Sequence, residues 1–432
     1  MQLRRGSDQM DLQIANGVQA HIQTTNKFKT VLIEYKFRTL YEPETATART
    51  LLKNILVTNT KKYASQKALD NQMSWLYGAS LSSGSQRYGD QHVVTFRLNV
   101  VNDRYIGGDD HLLEEAFSFL REIIHHPNVE NKKFHQKTFD REKINLKHYF
   151  GSLNDDKSRY AVMKLNQLLF KGTKQRYLGM GSEEYLDEIT SQSLYQTYQS
   201  MIESDTVDVL VSGDVSLKRI DEILKKESLQ DRQALLEFPF VTLPTRDVVE
   251  KVEEVSEVIQ GKLLLGFHSP AYYNESTYFA GIVFNGLFGG FPHSKLFQNV
   301  REKESLAYSA SSFMGFIRGT MVVQTGIAFD KKDQVEEIVL EQLEAMKKGD
   351  FSDLLFVQTK DMLINHYNQN DDSQSGSLSK VYSNRILRGK DFSDEEWLAG
   401  VSQVTKEEVM NLAGQLTLQA LFFLKGEELP NA

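Results

Sequence analysis

Cysteine is absent from this 432-residue chain. That absence excludes disulfides, thiolate nucleophiles and cysteine-rich zinc sites together, and leaves histidine and carboxylates as the available metal ligands. A basic excess is lacking too: 50 Lys and Arg stand against 58 Asp and Glu, for a net charge of −8. The charges are mixed along most of the chain, so nucleic acid is not an expected partner. No window approaches the ~18 uninterrupted apolar residues of a membrane helix. The first residues, Met1-Gln-Leu-Arg-Arg-Gly-Ser-Asp8, have a basic start with no apolar stretch behind it, which does not fit a secretory signal. The expectation is a cytoplasmic protein, most simply a bacterial one, without membrane contact.

Several signatures of catalysis are missing as well. There is no G-x-S-x-G elbow, no G-x-x-x-x-G-K-[ST] phosphate loop and no G-x-G-x-x-G after a strand, which disfavours serine hydrolases and nucleotide enzymes. Nor does H-x-x-E-H, the helix-borne zinc motif, occur anywhere.

What is present is enough apolar residue, 40%, to bury several cores, and at roughly 100–200 residues per domain the length predicts two to four domains. An internal repeat organises them. Glu184–Tyr198 followed by the apolar run Val207–Asp214 has a counterpart in Glu396–Met410 followed by Ala420–Glu427. In both, a Thr or Ser N-cap opens an amphipathic helix that leads into a buried strand ending at Gly and an acid. A second pair, Lys29–Phe37 and Lys262–His268, predicts strands followed by a Tyr-containing polar loop and then helices over about 46–58 and 276–287. Further strands are expected at His92–Val100 and Gly319–Phe329, and helices at 112–125, 131–149 and 332–348, from apolar residues three and four apart. The polar patch Asp371–Ser379 is expected to be a loop or a helix interruption. Between the halves, residues 227–257 carry Pro239, Pro244 and the charge run Arg246–Glu254, which suits a surface linker. The reading is an α+β fold of two related domains, 1–226 and 258–432, each an antiparallel or mixed sheet covered by helices.

The most informative stretch is Leu296-Phe-Gln-Asn-Val-Arg-Glu-Lys-Glu-Ser-Leu-Ala-Tyr-Ser-Ala-Ser-Ser312, entered through Gly289-Gly290. It resembles the arginine-tyrosine segment of the M16 (pitrilysin, insulinase and mitochondrial processing) peptidases, which reads roughly G-G-x-x-S-x-L-F-Q-x-x-R-E-x-x-x-L-A-Y-S. The resemblance implies the M16/LuxS-like metallohydrolase fold, built from two related halves joined by a linker, and so spans nearly the whole chain. It also implies that Arg301 and Tyr308 match the pair that binds substrate near the scissile bond. A guanidinium and a phenol can both donate hydrogen bonds to a peptide carbonyl or to the oxyanion that develops from it. The alternative is an ordinary helix ion pair of Arg301 with Glu302 or Glu304 and a core position for Tyr308. Pro292-His293 and Glu304-Ser305 depart from the family's pattern, in the loop and before the Leu-Ala-Tyr.

The same resemblance places Thr50-Leu-Leu-Lys-Asn54 where the family carries H-x-x-E-H. Zinc hydrolysis needs imidazoles and a carboxylate around the ion, an open position for water and a second carboxylate as base. Here Thr50 and Asn54 replace the two histidines, and Lys53 replaces the base. The family's third ligand, a Glu on a later helix, falls in the segment Arg141-Glu-Lys-Ile-Asn-Leu-Lys-His148, with Lys147 or His148 at the ligand region. No cofactor is therefore expected in this chain. His111-Leu-Leu-Glu-Glu115 comes close to the motif but follows a turn-like Gly107-Gly-Asp-Asp110 and is expected to be a helix N-terminus, where acids suit the dipole. The histidines at 125, 126, 135 and 148 are expected near helix ends at the surface.

The resemblance implies a noncatalytic subunit of a heterodimeric bacterial peptidase. Its H-x-x-E-H partner would hold the zinc, and this chain would supply Arg301, Tyr308 and half of a chamber for peptides. Two other readings remain open: a homodimeric peptide-binding or scaffold protein with no enzymatic partner, and an active peptidase with unconventional ligands such as His111 and His148.

Overall fold

The computed structural model describes residues 9–107, 111–227, 229–235, 237–303, 306–388 and 393–427. Along the chain the elements are β1 (Gln9–Ala15), β2 (Val18–Thr24), β3 (Thr30–Leu40), α1 (Pro43–Leu56), α2 (Gln66–Trp75), β4 (Ser80–Tyr88), β5 (Gln91–Val101), α3 (Leu112–His125), β6 (Val129–Glu130), β7 (Lys133–Phe134), α4 (Gln136–Ser152) and α5 (Lys157–Leu169). They continue with α6 (Glu183–Leu186), α7 (Ser191–Ser204), β8 (Thr206–Gly213), α8 (Leu217–Leu224), β9 (Glu250–Val255), β10 (Gly261–His268), α9 (Thr277–Asn285), β11 (Ala307–Gly315), β12 (Thr320–Ile327), α10 (Lys332–Lys347), α11 (Asp353–Asn370), α12 (Gln374–Arg388), α13 (Asp394–Gln403), α14 (Lys406–Gln415) and β13 (Thr417–Lys425).

The chain divides into two compact units. The first takes the described residues of Met1–Gly151, Leu178–Glu237 and Ser373–Lys380, and the second those of Ser152–Tyr177, Phe238–Asp372 and Val381–Ala432. Each is a mixed sheet covered by helices, the α+β plan expected. The first sheet runs β1-β2-β8-β3-β5-β4 and the second β11-β12-β10-β13-β9. Aligned on their centres, the two are one ladder used twice. β3 pairs antiparallel with β5 and β8, as β10 does with β12 and β13; β8 pairs parallel with β2, as β13 does with β9.

The helices that feed the matched strands start alike. Thr190 caps α7 ahead of β8 and Thr405 caps α14 ahead of β13, each in a reciprocal capping box, which satisfies two otherwise orphaned N–H groups. Two elements differ from the sequence expectation, and a third agrees with it. Asn131 and Lys132 adopt positive φ of 51° and 59° as the turn of the β6–β7 hairpin, so the helix expected from 131 starts at Gln136. Within the stretch 227–257, Glu250–Val255 is a strand, β9, whose inward acids pair with Lys171 and Lys164. The patch Asp371–Ser379 holds an interruption, since α11 ends at Asn370 and α12 begins at Gln374.

The two sheets differ on the face away from the main helical layer. In the second unit, Leu264, Ala420, Phe422 and Leu424 pack against Ala161, Leu165 and Leu169 of α5, so the sheet is apolar on both sides. In the first unit the matching face carries Glu34, Lys36 and Arg38, all buried or nearly so. Glu34 is held by Lys36 at 2.8 Å and by Arg97, while Asp208 lies 3.5 Å from Arg38. Gln374 binds the edge of this face through Ser212 O at 2.8 Å and Thr30 O at 3.1 Å.

Candidate functional site

In the first unit, Pro43 at the start of α1 occupies a position where its missing N–H costs nothing. The helix is buried on most sides. At its N-terminal end it meets Gly181, at φ 96°, where an added Cβ would lie 2.0 Å from Thr47 Oγ1, so the two backbones touch there only because the residue is glycine. Ser182 N donates to that same hydroxyl at 3.0 Å. At its C-terminal end α1 faces β4: Thr50 Oγ1 lies 3.0 Å from Ser85 Oγ, and Ser83 Oγ donates to Lys53 O at 3.2 Å. Thr50 is thus a buried hydroxyl paired with a hydroxyl.

Beside it, the fully buried Arg49 donates to His92 Nδ1 at 3.0 Å and to Phe37 O at 2.9 Å, and meets Asp205 Oδ2 at 2.6 Å. Burial, and then the positive charges of Arg49, Arg87 and Lys53, hold His92 well below the usual imidazole range. Lys53 points its ammonium at Asn54 Oδ1, 2.6 Å away, and burial lowers its pKa. On α4, Lys147 reaches Asp187 at 3.0 and 3.2 Å, and Lys143 donates to the carbonyls of Asp187 and Ile189. These positions hold ammonium groups, a hydroxyl and an amide rather than imidazoles and carboxylates. They do not fit a zinc ion, and among the described residues no group of three His, Asp or Glu is placed to hold a metal. His111 precedes the first residue of α3 as expected, and its neighbour Glu114 is occupied by Arg219 at 2.9 and 2.6 Å.

In the second unit, α9 continues into a wider helical turn, Gly286–Gly290. An added Cβ on Gly289 would lie 2.6 Å from Ser312 N and Oγ, so the glycine lets this turn lie directly against β11. Ser312 Oγ donates to Asn285 Oδ1 at 2.8 Å and fastens the contact. Leu296 and Val300 are buried in the core under the helical turn Phe297–Lys303. On that turn Arg301 is exposed and stacks its guanidinium over the Phe297 ring, 4.6 Å from the centroid. Residues 304 and 305, the departure before Leu-Ala-Tyr, lie outside the described residues. The chain re-enters at the buried Leu306 and Ala307, and Tyr308 follows on the edge strand β11 at 73% exposure.

Ser83, Ser85 and Arg87 were not singled out in the sequence. Their signal is a strand whose alternate, helix-facing positions are polar.

The probable inactive metalloprotease YmfF of Bacillus subtilis (strain 168) is 35% identical over 412 residues, 95% of this chain and 96% of that protein. The chain belongs to the M16 peptidase family. The model of the peptidase M16 inactive domain matches residues 188–363, which include the Gly289–Tyr308 segment. The crystal structure of a conserved protein from Enterococcus faecalis V583 is 40% identical, with a TM-score of 0.93 over 98% of this chain and 100% of that one. The structure of a peptidase M16 inactive domain from Pseudomonas fluorescens superposes with a TM-score of 0.77 at 15% identity, over 98% and 100% of the two chains. This M16 member carries no zinc-ligand set at the positions that resemble H-x-x-E-H. Among its described residues no helix is long and apolar enough to cross a membrane.

Proposed function

We propose that this chain is the noncatalytic subunit of a cytoplasmic, two-chain M16 peptidase. It pairs with a homologue that carries H-x-x-E-H and zinc, forms half of a peptide-binding chamber, and presents Arg301 and Tyr308 to substrate. The exposure of Tyr308 carries the reading: a phenol 73% exposed at the head of an edge strand, with Arg301 exposed on the preceding turn, is available to a ligand. The turn that precedes them is spent on holding the strand in place. The positions at 50, 53, 54 and 147 support the other half of the proposal, because a chain with ammonium groups there needs its metal chemistry from elsewhere.

The test is co-expression with an H-x-x-E-H M16 homologue from the same genome. The expected result is a stable complex that cleaves unfolded peptides, loses activity to chelators, and is inactive when either chain is omitted. Failure of any such homologue to co-purify, with a self-associated chain that still binds peptides, would favour a homodimeric peptide-binding protein instead.

A further inference from the structure

Lys53 and its neighbour form a corner made almost wholly of donors. The Lys53 ammonium, with three N–H groups, makes one hydrogen bond among the described residues, to the neutral Asn54 Oδ1 at 2.6 Å. Among the described residues it has no carboxylate within ion-pair distance. The Asn54 amide, its oxygen taken by Lys53, keeps both N–H donors of Nδ2 without a partner among those residues. Both side chains are only half-buried, so a ligand can reach them.

The surroundings reinforce the imbalance. Asp205 is committed to Arg49, and Arg87 lies over the Tyr41 ring at 4.8 Å. Lys53, Arg49 and Arg87 all act on the buried His92 in the direction that keeps its ring uncharged, and among the described residues His92 Nε2 has no acceptor. The C-terminal turn of α1 offers Lys53 only the partial negative charge of its carbonyls, and one of those, Asn54 O, already accepts from Thr58 Oγ1. A buried or half-buried ammonium without a counter-charge is costly, and an acceptor-only anion satisfies every unused donor here at once.

We propose that Lys53 and Asn54 form a binding site for a peptide carboxylate, which accepts from Lys53 Nζ and Asn54 Nδ2. The proposal rests on the peptide-binding reading above and gives it a substrate preference. The carboxylate is either the C-terminal one or that of an Asp or Glu side chain.

The test uses the full chain and three dye-labelled, unstructured peptides of one sequence. The first carries an internal Glu and an amidated C-terminus, the second Gln and a free C-terminus, and the third Gln and an amidated C-terminus. One of the first two should bind about tenfold to a hundredfold more tightly than the third by fluorescence anisotropy, and which one names the source of the carboxylate. Lys53→Met should remove that preference without weakening the third peptide, and Lys53→Arg should retain it. Asn54→Asp, which supplies a carboxylate from the chain itself, should abolish it as well. Equal binding of all three peptides, or a preference that survives Lys53→Met, overturns the site. If no peptide binds, the peptide-binding reading has failed and a second measurement decides this one. Acetate is then titrated into protein labelled at lysine Cε, with the Lys53 signal identified by its loss in Lys53→Met. A saturable shift of that signal, absent with chloride, supports a carboxylate site. A flat response overturns it.

Discussion

Arg49 and His92 are joined by a 3.0 Å hydrogen bond from the guanidinium Nε to the ring Nδ1, which assigns the ring's own proton to Nε2 and requires a neutral imidazole. The same guanidinium meets Asp205 at 2.6 Å and Phe37 O at 2.9 Å, so one planar fork links α1, β3, β5 and the start of β8. Asp205→Asn should cost about 3–5 kcal/mol, because it leaves a buried cation without its counter-charge. Arg49→Lys should cost a similar amount, since one ammonium cannot span the three acceptors. Urea unfolding measures both, and a loss below about 1 kcal/mol in either would mean that water reaches the pair.

Acid should weaken the first unit through its neutral histidines. Burial, followed by the neighbouring charges of His126, Arg232 and Arg121, brings His125 down to about 4, and His92 lies below its usual range for the reasons above. Unfolding restores an ordinary pKa near 6.5. The folded values are depressed, so this contribution to stability is complete above about pH 6.5 and is lost as pH falls, for His125 toward about 4, at up to ~1.4 kcal/mol per pH unit for each group. His125→Gln should flatten the unfolding free energy against pH by up to one such increment between pH 6 and pH 4.5. An unchanged slope would show that His125 titrates normally in the folded chain.

Gly289→Ala should destabilise the second unit by about 1–3 kcal/mol, as overpacking at a backbone contact does, because its Cβ would press on Ser312 at 2.6 Å. Gly84→Ala on β4 has nothing within 4 Å and should stay within about 0.5 kcal/mol. Thermal unfolding of the two variants compares them directly, and equal melting temperatures would refute the close contact.

Much of this fold is readable from local chemistry. Thr190 and Thr405 announce their helices, and the paired strands at 29–37 and 262–268 take the same place in both ladders. The strand β9 was hidden because its inward positions include Glu250 and Glu254, which read as solvent-facing charge until Lys171 and Lys164 are found beside them. The helix α5 is not among the expected ones, and nothing local in its sequence says which sheet its apolar face covers. At the proposed site, Thr50, Lys53, Asn54, Arg301 and Tyr308 come from the family resemblance and not from any local pattern of their own. The contacts of Arg49 with His92 and Asp205 join residues far apart in sequence and leave no local trace.

Writing the zinc motif back into α1 should not restore a metal site. Thr50→His with Lys53→Glu and Asn54→His places an imidazole where a buried hydroxyl sits 3.0 Å from Ser85, so the helix must shift to admit it. Lys147, at the position proposed for the third ligand, would still be held by Asp187. The purified triple variant should contain far less than one zinc per chain by elemental analysis. Stoichiometric zinc would show that another side chain supplies the third ligand.

Arg301→Ala and Tyr308→Phe separate chemistry from architecture. Tyr308 is 73% exposed, so losing its hydroxyl should leave stability within about 0.5 kcal/mol, and Arg301 sits on the surface of its turn over Phe297. If the proposed two-chain peptidase is reconstituted, each variant should still assemble. Each should slow cleavage by roughly 10²–10³, since removing one donor to a developing oxyanion costs about 2.7–4 kcal/mol of transition-state stabilisation. The loss should fall on kcat rather than KM, because the oxyanion exists only in the transition state. Variants that assemble and cleave at the wild-type rate would make Arg301 and Tyr308 surface residues of a subunit that contributes only shape. A rise in KM with unchanged kcat would assign them to binding the ground-state peptide instead.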